Sequence, residues 1–337
     1  MGIRGLNTCI TRTTPESIKS VKWTDYENTC IGIDITCFLY RALSSHLNPI
    51  DIIAAQLISF KNLKIKPIYV FDGKAPQEKD IVVTKRRNDR NDALELCAKL
   101  KESLALETDI SALELIKRRI NEIEEKNPVL TYEIKDEIKQ FLYITGTTFV
   151  TASGEADSLL AYMFKRNIID AVISLDLDFI ARGTVLLVPT HITYPPGGIW
   201  SQYDATLIRR GLRLSEDKFI DLCVLIGSDY TPDLTIVPWK TALASLRVGD
   251  SISEIWARHT FSNWRRSDSG LMLKTDVDRL KKARNILLGL EDTADTLLDP
   301  IQWRKCLAPN YVEEDGINLL RKKYPHFTNQ MIDIIVS

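Results

Sequence analysis

The sequence predicts an α/β fold: a mostly parallel central sheet flanked by helices, with an inserted helical segment and a mainly helical C-terminal region. Three observations carry this. Short β-branched apolar runs recur, and each stops on aspartate: Cys30-Ile-Gly-Ile-Asp34, Pro67-Ile-Tyr-Val-Phe-Asp72 and Ala171-Val-Ile-Ser-Leu-Asp176-Leu-Asp178. Near-continuous apolar runs of this kind mark strands buried on both faces, as in parallel sheets. Residues 73–140 change abruptly to a charged, helix-favouring composition with no glycine between Gly73 and Gly146. From residue 271 to the end the chain again reads as mostly helical.

Taken in order, residues 1–72 hold two strands, ending at Asp34 and Asp72, around a helical stretch over about 36–63. In 73–140, Leu94, Ala98, Leu100 and Leu104, then Leu113, Ile116, Ile120 and Ile123, recur at helical spacing and predict two or more helices inserted between strands. The alternation resumes at Thr147 with a strand, a helix over 154–166, a strand over 171–175 and a strand at Val185-Leu-Leu-Val188. Residues 219–226 read as a buried helix. No internal repeat or low-complexity linker occurs. The 337 residues, 45% hydrophobic and 26% charged, suit one large α/β domain with an extension, or two domains. No apolar run reaches membrane-spanning length, and the N-terminal residues carry no signal-peptide or myristoylation pattern, so an intracellular protein without a membrane partner is expected.

In an open α/β sheet, ligands bind outside the carboxyl ends of the strands, which is where this grammar puts its acids. Glu155 and Asp157, where Ala152-Ser-Gly-Glu-Ala-Asp opens a helix, and Asp229 in Ile226-Gly-Ser-Asp-Tyr join Asp34, Asp72, Asp176 and Asp178 in a candidate set of seven carboxylates. Packed together they repel one another and need a cation to stay ionised. Hard oxygen donors suit Mg²⁺ or Mn²⁺. Zinc is excluded by the rest of the inventory: His46, His191, His259 and His326 are scattered, and cysteines 9, 30, 37, 97, 223 and 306 form no Cys-x-x-Cys pair.

The formal charge of −1 hides local structure. Basic residues gather in Lys85-Arg-Arg-Asn-Asp-Arg90, Lys117-Arg-Arg119, Arg209-Arg210 with Arg213, Arg265-Arg266, and Lys281-Lys282 with Arg284. Setting aside the seven acids that metal compensates leaves the rest of the chain positive by six charges, so a phosphate backbone is a plausible ligand.

These residues resemble the flap endonuclease and XPG family of structure-specific 5′ nucleases, in the family's order along the chain. Met1-Gly-Ile-x-Gly-Leu6 is similar to its N-terminal signature. Ile31-Gly-Ile-Asp34 with Tyr40, and Val70-Phe-Asp-Gly-Lys-x-Pro76 with Lys79 and Lys85-Arg86, are similar to its first two acidic strands. Ala152-Ser-Gly-Glu-Ala-Asp157, Ser174-Leu-Asp-Leu-Asp178 with Gly183, and Leu225-Ile-Gly-Ser-Asp-Tyr230 complete the set, which spans residues 1 to about 232.

The resemblance implies a PIN-like 5′-nuclease fold and hydrolysis of DNA phosphodiesters at flaps or junctions, in replication, repair or recombination. It implies that two Mg²⁺ ions, with Mn²⁺ as a substitute, are held by Asp34, Asp72, Glu155 and Asp157 on one side and Asp176, Asp178 and Asp229 on the other. Lys79 and Arg86 then face the scissile phosphate as catalytic cations. The segment 73–140 becomes a helical arch that receives a single-stranded 5′ end, and Tyr40 stacks on a base. Gly2, Lys85, Arg87 and Lys240 become further contacts to branched or 5′-ended DNA, bound by a monomer. The region 233–337 becomes a diverged helical DNA-binding extension.

Three features depart from the family's flap-cutting members. The acidic helix reads Glu-Ala-Asp rather than Glu-Ala-Glu, and this spelling, with Cys37-Phe-Leu-Tyr-Arg-Ala42, leans toward the family's 5′-to-3′ exonucleases. Leu234-Thr-Ile-Val-Pro-Trp-Lys-Thr-Ala242 lacks the glycines that let a hairpin backbone approach duplex phosphates. Asn329-Gln-Met-Ile-Asp-Ile-Ile-Val-Ser337 does not spell the sliding-clamp motif, and no basic nuclear-localisation tail follows. Together these features resemble versions carried by large DNA viruses, leaving nucleus and viral replication compartment as alternatives. Two rivals from other classes are a non-catalytic DNA-binding scaffold, which has no reason to keep seven repelling charges, and an Asp-x-Asp phosphatase, whose usual Gly-Thr after Asp178 is missing.

Overall fold

A computed structural model describes residues 2–189, 198–231, 234–262, 270–290, 292–299 and 314–336. The basic pair Arg265-Arg266, His191, Cys306 and part of the C-terminal region expected to be helical lie outside the described residues.

The chain runs α1 (Leu6–Thr13), β1 (Ile18–Lys22), β2 (Cys30–Asp34), α2 (Ile35–Ser44), α3 (Pro49–Asn62), β3 (Lys66–Phe71), α4 (Asp80–Leu106), α5 (Ile110–Lys126), α6 (Tyr132–Ile144) and β4 (Phe149–Thr151). It continues through α7 (Ala156–Lys165), β5 (Ala171–Ile173), α8 (Asp178–Ala181), β6 (Val185–Pro189), β7 (Ile199–Asp204), α9 (Ala205–Leu212), α10 (Glu216–Leu225), α11 (Trp239–Arg247), α12 (Ile252–Ser262), α13 (Gly270–Leu288) and α14 (Ala294–Leu297). Two further helices, Glu314–Lys323 and Asn329–Val336, close the described chain.

The strands form one seven-stranded sheet in the order β1-β7-β6-β5-β2-β3-β4. From β6 to β4 every pairing is parallel, and β7 alone runs against its neighbours. The acid-terminated runs are β2, β3 and β5, side by side in the middle as their apolarity demands. Alternation along β3 assigns Ile68 and Val70 to one core layer and Tyr69 and Phe71 to the other. The first layer is covered by α1, α7, α9, α10 and α11, the second by α2, α3, α6 and the last two helices.

The sequence reading misses two strands. Residues 1–72 hold three strands rather than two, because β1 is an edge strand whose Lys19, Ser20 and Lys22 are exposed. β7 buries only Trp200 and Tyr203, too little for an apolar run. The stretch 36–63 is two helices broken at 45–48, where Asn48 caps α3 and Pro49 takes its first position.

The inserted segment also differs in detail. α4 and α5 form a hairpin around Cys97, Ile120 and Ile123, with Ala93, Leu100, Leu104 and Ile116 packed against them. Leu94, expected on that stripe, is exposed, and Cys97 holds the buried place instead. α6 belongs to the core: its Ile138, Phe141 and Leu142 pack in the second layer, with Phe141 meeting Tyr324 and Phe327 edge to face. The hairpin is therefore 80–126, shorter than the 73–140 read from composition.

Candidate active site

Parallel pairing puts the carboxyl ends of β5, β2, β3 and β4 in a row, and the acids follow from it. Asp34 is the last residue of β2, Asp72 follows β3, Glu155 and Asp157 open α7 after β4, and Asp176 and Asp178 follow β5. Two loops close on each other here. The Gly73 amide donates to the Gly154 carbonyl at 2.7 Å, and a Cβ on Gly73 would come within 2.0 Å of the Ala152 carbonyl oxygen, so only glycine fits. That contact seats Asp72 over α7, where its Oδ1 accepts from the Ala156 amide at 2.9 Å. The N-terminal segment comes in from the other side: Ile3 N donates to Asp178 Oδ1 at 2.8 Å and Arg4 N to the Gly227 carbonyl at 2.9 Å. Gly2, at φ +94°, lies so close that a Cβ would sit 2.3 Å from Asp176 Oδ1.

Six of the seven acids act on one another electrostatically. Burial, then Asp72, pushes the Asp34 carboxyl up to about 8, even though the Ser174 hydroxyl donates to it at 2.8 Å. Burial, then Asp176, pushes Asp178 up to about 8. Burial also raises Asp176, and burial with Asp157 raises Glu155. Burial acts to raise Asp157 as well, but Arg182 and then Lys79 outweigh it and hold its carboxyl below the usual range. Asp229 stands somewhat apart and accepts from Arg86 Nη2 at 2.6 Å.

Protein cations answer part of this charge. Lys79 Nζ lies 2.5 Å from Glu155 Oε1 and 4.6 Å from the centre of the Tyr230 ring, and the Tyr230 hydroxyl donates to Glu155 Oε2 at 2.8 Å. Arg182, fully buried, donates from Nε to Asp157 Oδ2 at 3.2 Å, and the Ser158 amide donates to Asp157 Oδ1 at 2.7 Å. Both oxygens of Glu155 and both of Asp157 thus have partners within the protein. Among the described residues no three His, Cys, Asp or Glu side chains converge as a ready-made cage for one ion. That suits Mg²⁺, which keeps several waters and takes one or two carboxylates directly. Donor chemistry and charge fit as well: all the donors are oxygens, and seven carboxylates against Lys79, Arg86 and Arg182 leave four negative charges, the charge two divalent ions neutralise.

The other sequence-derived positions fall around this rim. Tyr40, on α2, is half-buried with the Arg90 guanidinium 5.5 Å over its ring. Lys85, Arg86 and Arg87 are exposed along α4, and Lys240 is exposed at the start of α11. Where glycines were missed in 234–242, Leu234, Val237 and Trp239 pack against the first core layer and the Thr235 carbonyl accepts from Trp256 Nε1 at 3.2 Å. The sequence reading passed over three site residues. Ser174 and Tyr230 lie inside motifs it quoted, so adjacency to the acids was the available signal. Arg182 carried none, since an arginine between Ala181 and Gly183 reads as a surface residue.

The repulsion makes a stability prediction. Asp34 and Asp178 hold protons more tightly folded than unfolded, so the folded state binds more protons between about pH 4 and 8 and metal-free stability falls as pH rises through that window. Asp34→Asn, which cannot ionise, is expected to raise the melting temperature of the chelator-treated protein by a few degrees at pH 8 and hardly at all near pH 4. Thermal unfolding at the two pH values checks it, and equal shifts at both would refute the assignment.

Comparison with known proteins agrees with the geometry. The family model for the XPG N-terminal domain matches residues 1–93 and that for the XPG I-region matches residues 146–229. The chain is 29% identical to flap endonuclease 1-A of Sorghum bicolor over 76% of its own length and 68% of that protein's. It is 26% identical to flap endonuclease 1 of Entamoeba dispar over 98% of its length and 85% of that protein's. Its fold superposes on flap endonuclease-1 from Methanococcus jannaschii with a TM-score of 0.62 at 19% identity, covering 95% of each chain. On the catalytic core of Rad2 in complex with DNA substrate the TM-score is 0.61 at 17% identity, covering 99% of this chain and 98% of that one. No described helix is long and apolar enough to cross a membrane.

Proposed function

This chain belongs to the flap endonuclease and XPG family, and on that premise we propose that it uses two Mg²⁺ ions to cut DNA at flaps or junctions, leaving a 5′-phosphate. It is a structure-specific 5′ nuclease, a hydrolase of phosphodiester bonds that binds DNA. The observation that carries the metal assignment is the row of mutually repelling carboxylates at the ends of four adjacent parallel strands.

When bound, the divalent ions lower the pKa of a water and offset charge on the phosphate and the leaving oxygen. Asp34, Asp72, Glu155 and Asp157 are proposed to hold one, and Asp176, Asp178 and Asp229 the other. Glu155 and Asp157, with both oxygens engaged, would hold their ion through water, while among the described residues Asp34, Asp72, Asp176 and Asp178 each keep one oxygen without a hydrogen-bond donor and would reach an ion directly. Lys79, just before α4, pairs with Glu155, and Arg86, on α4, pairs with Asp229; both are proposed to turn to the scissile phosphate as charge grows on it. Lys85 and Arg87 along α4 and Lys240 track the backbone, and Tyr40, beneath Arg90, offers a face for stacking a base. The α4–α5 hairpin is proposed to receive the single-stranded 5′ end.

The test is a Mg²⁺ incubation with a double flap, a nicked duplex, a blunt duplex and a four-way junction side by side. Cutting of the flap or junction is the expected result. Stepwise shortening of nicked and blunt duplexes from the 5′ end favours the second reading, a 5′-to-3′ exonuclease, which the Glu-Ala-Asp opening of α7 supports. Binding of all four DNAs with no cutting sinks both.

A further inference from the structure

We propose that Arg182 is a positioning residue for this reaction, an internal cation that fixes Asp157 directly and Glu155 through Tyr230 and ties both to the end of α13. The proposal deepens the nuclease reading and rests on it. Arg182 is the largest fully buried side chain in the protein, 1% exposed. It sits in the turn after α8, four residues beyond Asp178, and reaches across the core rather than toward solvent. Its three nitrogens serve three elements. Nε donates to Asp157 Oδ2 at 3.2 Å, Nη2 to the Tyr230 hydroxyl at 2.9 Å, and Nη1 to the Ile286 carbonyl at 3.2 Å in the last turn of α13. Asp292 Oδ2 lies 4.0 Å from Nη1.

A guanidinium is costly to bury unless its donors are matched and its charge is opposed. Here the matching is the function. As a neutral phenol, Tyr230 accepts from Arg182 Nη2 at 2.9 Å and donates its single hydroxyl hydrogen to Glu155 Oε2 at 2.8 Å. One rigid fork therefore holds two carboxylates at one helix start, Asp157 in the first turn of α7 directly and Glu155 at its N-cap through Tyr230. A lysine at 182 would supply the charge without the planar fork. The cation is inside the protein, so it acts on the acids rather than on substrate.

The contact with α13 extends the reach. Lys282, one turn before Ile286, pairs with Glu78 at 2.6 Å, and Glu78 directly precedes Lys79, which pairs with Glu155. The last turns of α13 thus connect to the acidic row twice, through Arg182 and through the residue beside Lys79.

The test compares Arg182→Met, Arg182→Lys and Tyr230→Phe with wild type by three measurements: calorimetric Mg²⁺ binding without DNA, the Mg²⁺ concentration giving half-maximal single-turnover cleavage, and DNA affinity in Ca²⁺. Arg182→Met is expected to weaken metal binding and raise the half-saturating Mg²⁺ by about 10- to 100-fold, with DNA affinity unchanged. Tyr230→Phe shifts both in the same direction by less, and Arg182→Lys falls between wild type and Arg182→Met. Metal binding in Tyr230→Phe or a folded Arg182→Met that superposes on wild type overturns the proposal, even if the melting temperature drops. Should Arg182→Met fail to fold, Tyr230→Phe and Arg182→Lys decide alone. A wild-type protein that binds metal but cuts no DNA sinks the nuclease reading, while the calorimetric comparison still judges Arg182.

Discussion

Asp176→Ala is expected to slow cleavage at least about a thousandfold at saturating DNA and Mg²⁺, a loss of about 4 kcal/mol of transition-state stabilisation. Asp176 belongs to the set proposed to hold the second ion: burial raises its carboxyl, Asp178 N donates to its Oδ1 at 3.1 Å, and its charge acts on both Asp34 and Asp178. Alanine removes an oxygen donor that no neighbour replaces. It removes none of the proposed backbone contacts, because Lys85, Arg86 and Arg87 lie on α4 and Lys240 on α11. DNA affinity is therefore expected to stay within about threefold, since backbone binding comes from cations. A single-turnover rate within tenfold of wild type, or a parallel loss of binding, would contradict the proposed role.

Lys79→Ala is the second large effect, a rate loss of about 10²–10³ with the substrate still bound. Only 11% of the Lys79 side chain is exposed. Burial opposes its charge, but Asp157, Tyr230 and Glu155 overcome that and hold its ammonium well above the ordinary lysine range. It stays protonated at every usable pH, so the pH–rate profile of the wild type carries no limb from Lys79. The variant loses height and keeps the shape of that profile. Measuring the profile for both proteins separates this from an acid–base role, in which alanine would erase a limb.

The parts of this molecule that were legible in the sequence are those where one pattern does two jobs. An apolar run ending in aspartate announces both a buried parallel strand and an acid at its carboxyl end, so Asp34, Asp72, Asp176 and Asp178 were found with their strands. Glu155 and Asp157 came with the opening of α7, and Lys79 only through the family resemblance. What escaped was set by tertiary context. β1 is an edge strand and β7 lies next to it, and the lysines of β1 and the polar residues of both dilute the apolar signal. Cys97 displaces Leu94 because the crossing of α4 and α5 decides which side is inside. α6 looked like part of the insertion because its polar face is charged, while its buried face meets the helices Glu314–Lys323 and Asn329–Val336, nearly two hundred residues later. Arg182 has no local signature, since what makes it useful is three partners contributed by α7, Tyr230 and α13.

The α4–α5 hairpin keeps its own small interior of Cys97, Ile120 and Ile123 and is fastened at its foot, where the Ser44 hydroxyl donates to the Glu125 carbonyl. Lengthening or trimming both helices by matched turns leaves the acidic row, its cations and the sheet beneath untouched, at a modest cost in chain entropy. Under the proposed role of the hairpin, selectivity for what it receives and competence to cut it are thereby heritable as separate traits, and a lineage can retune the first without endangering the second.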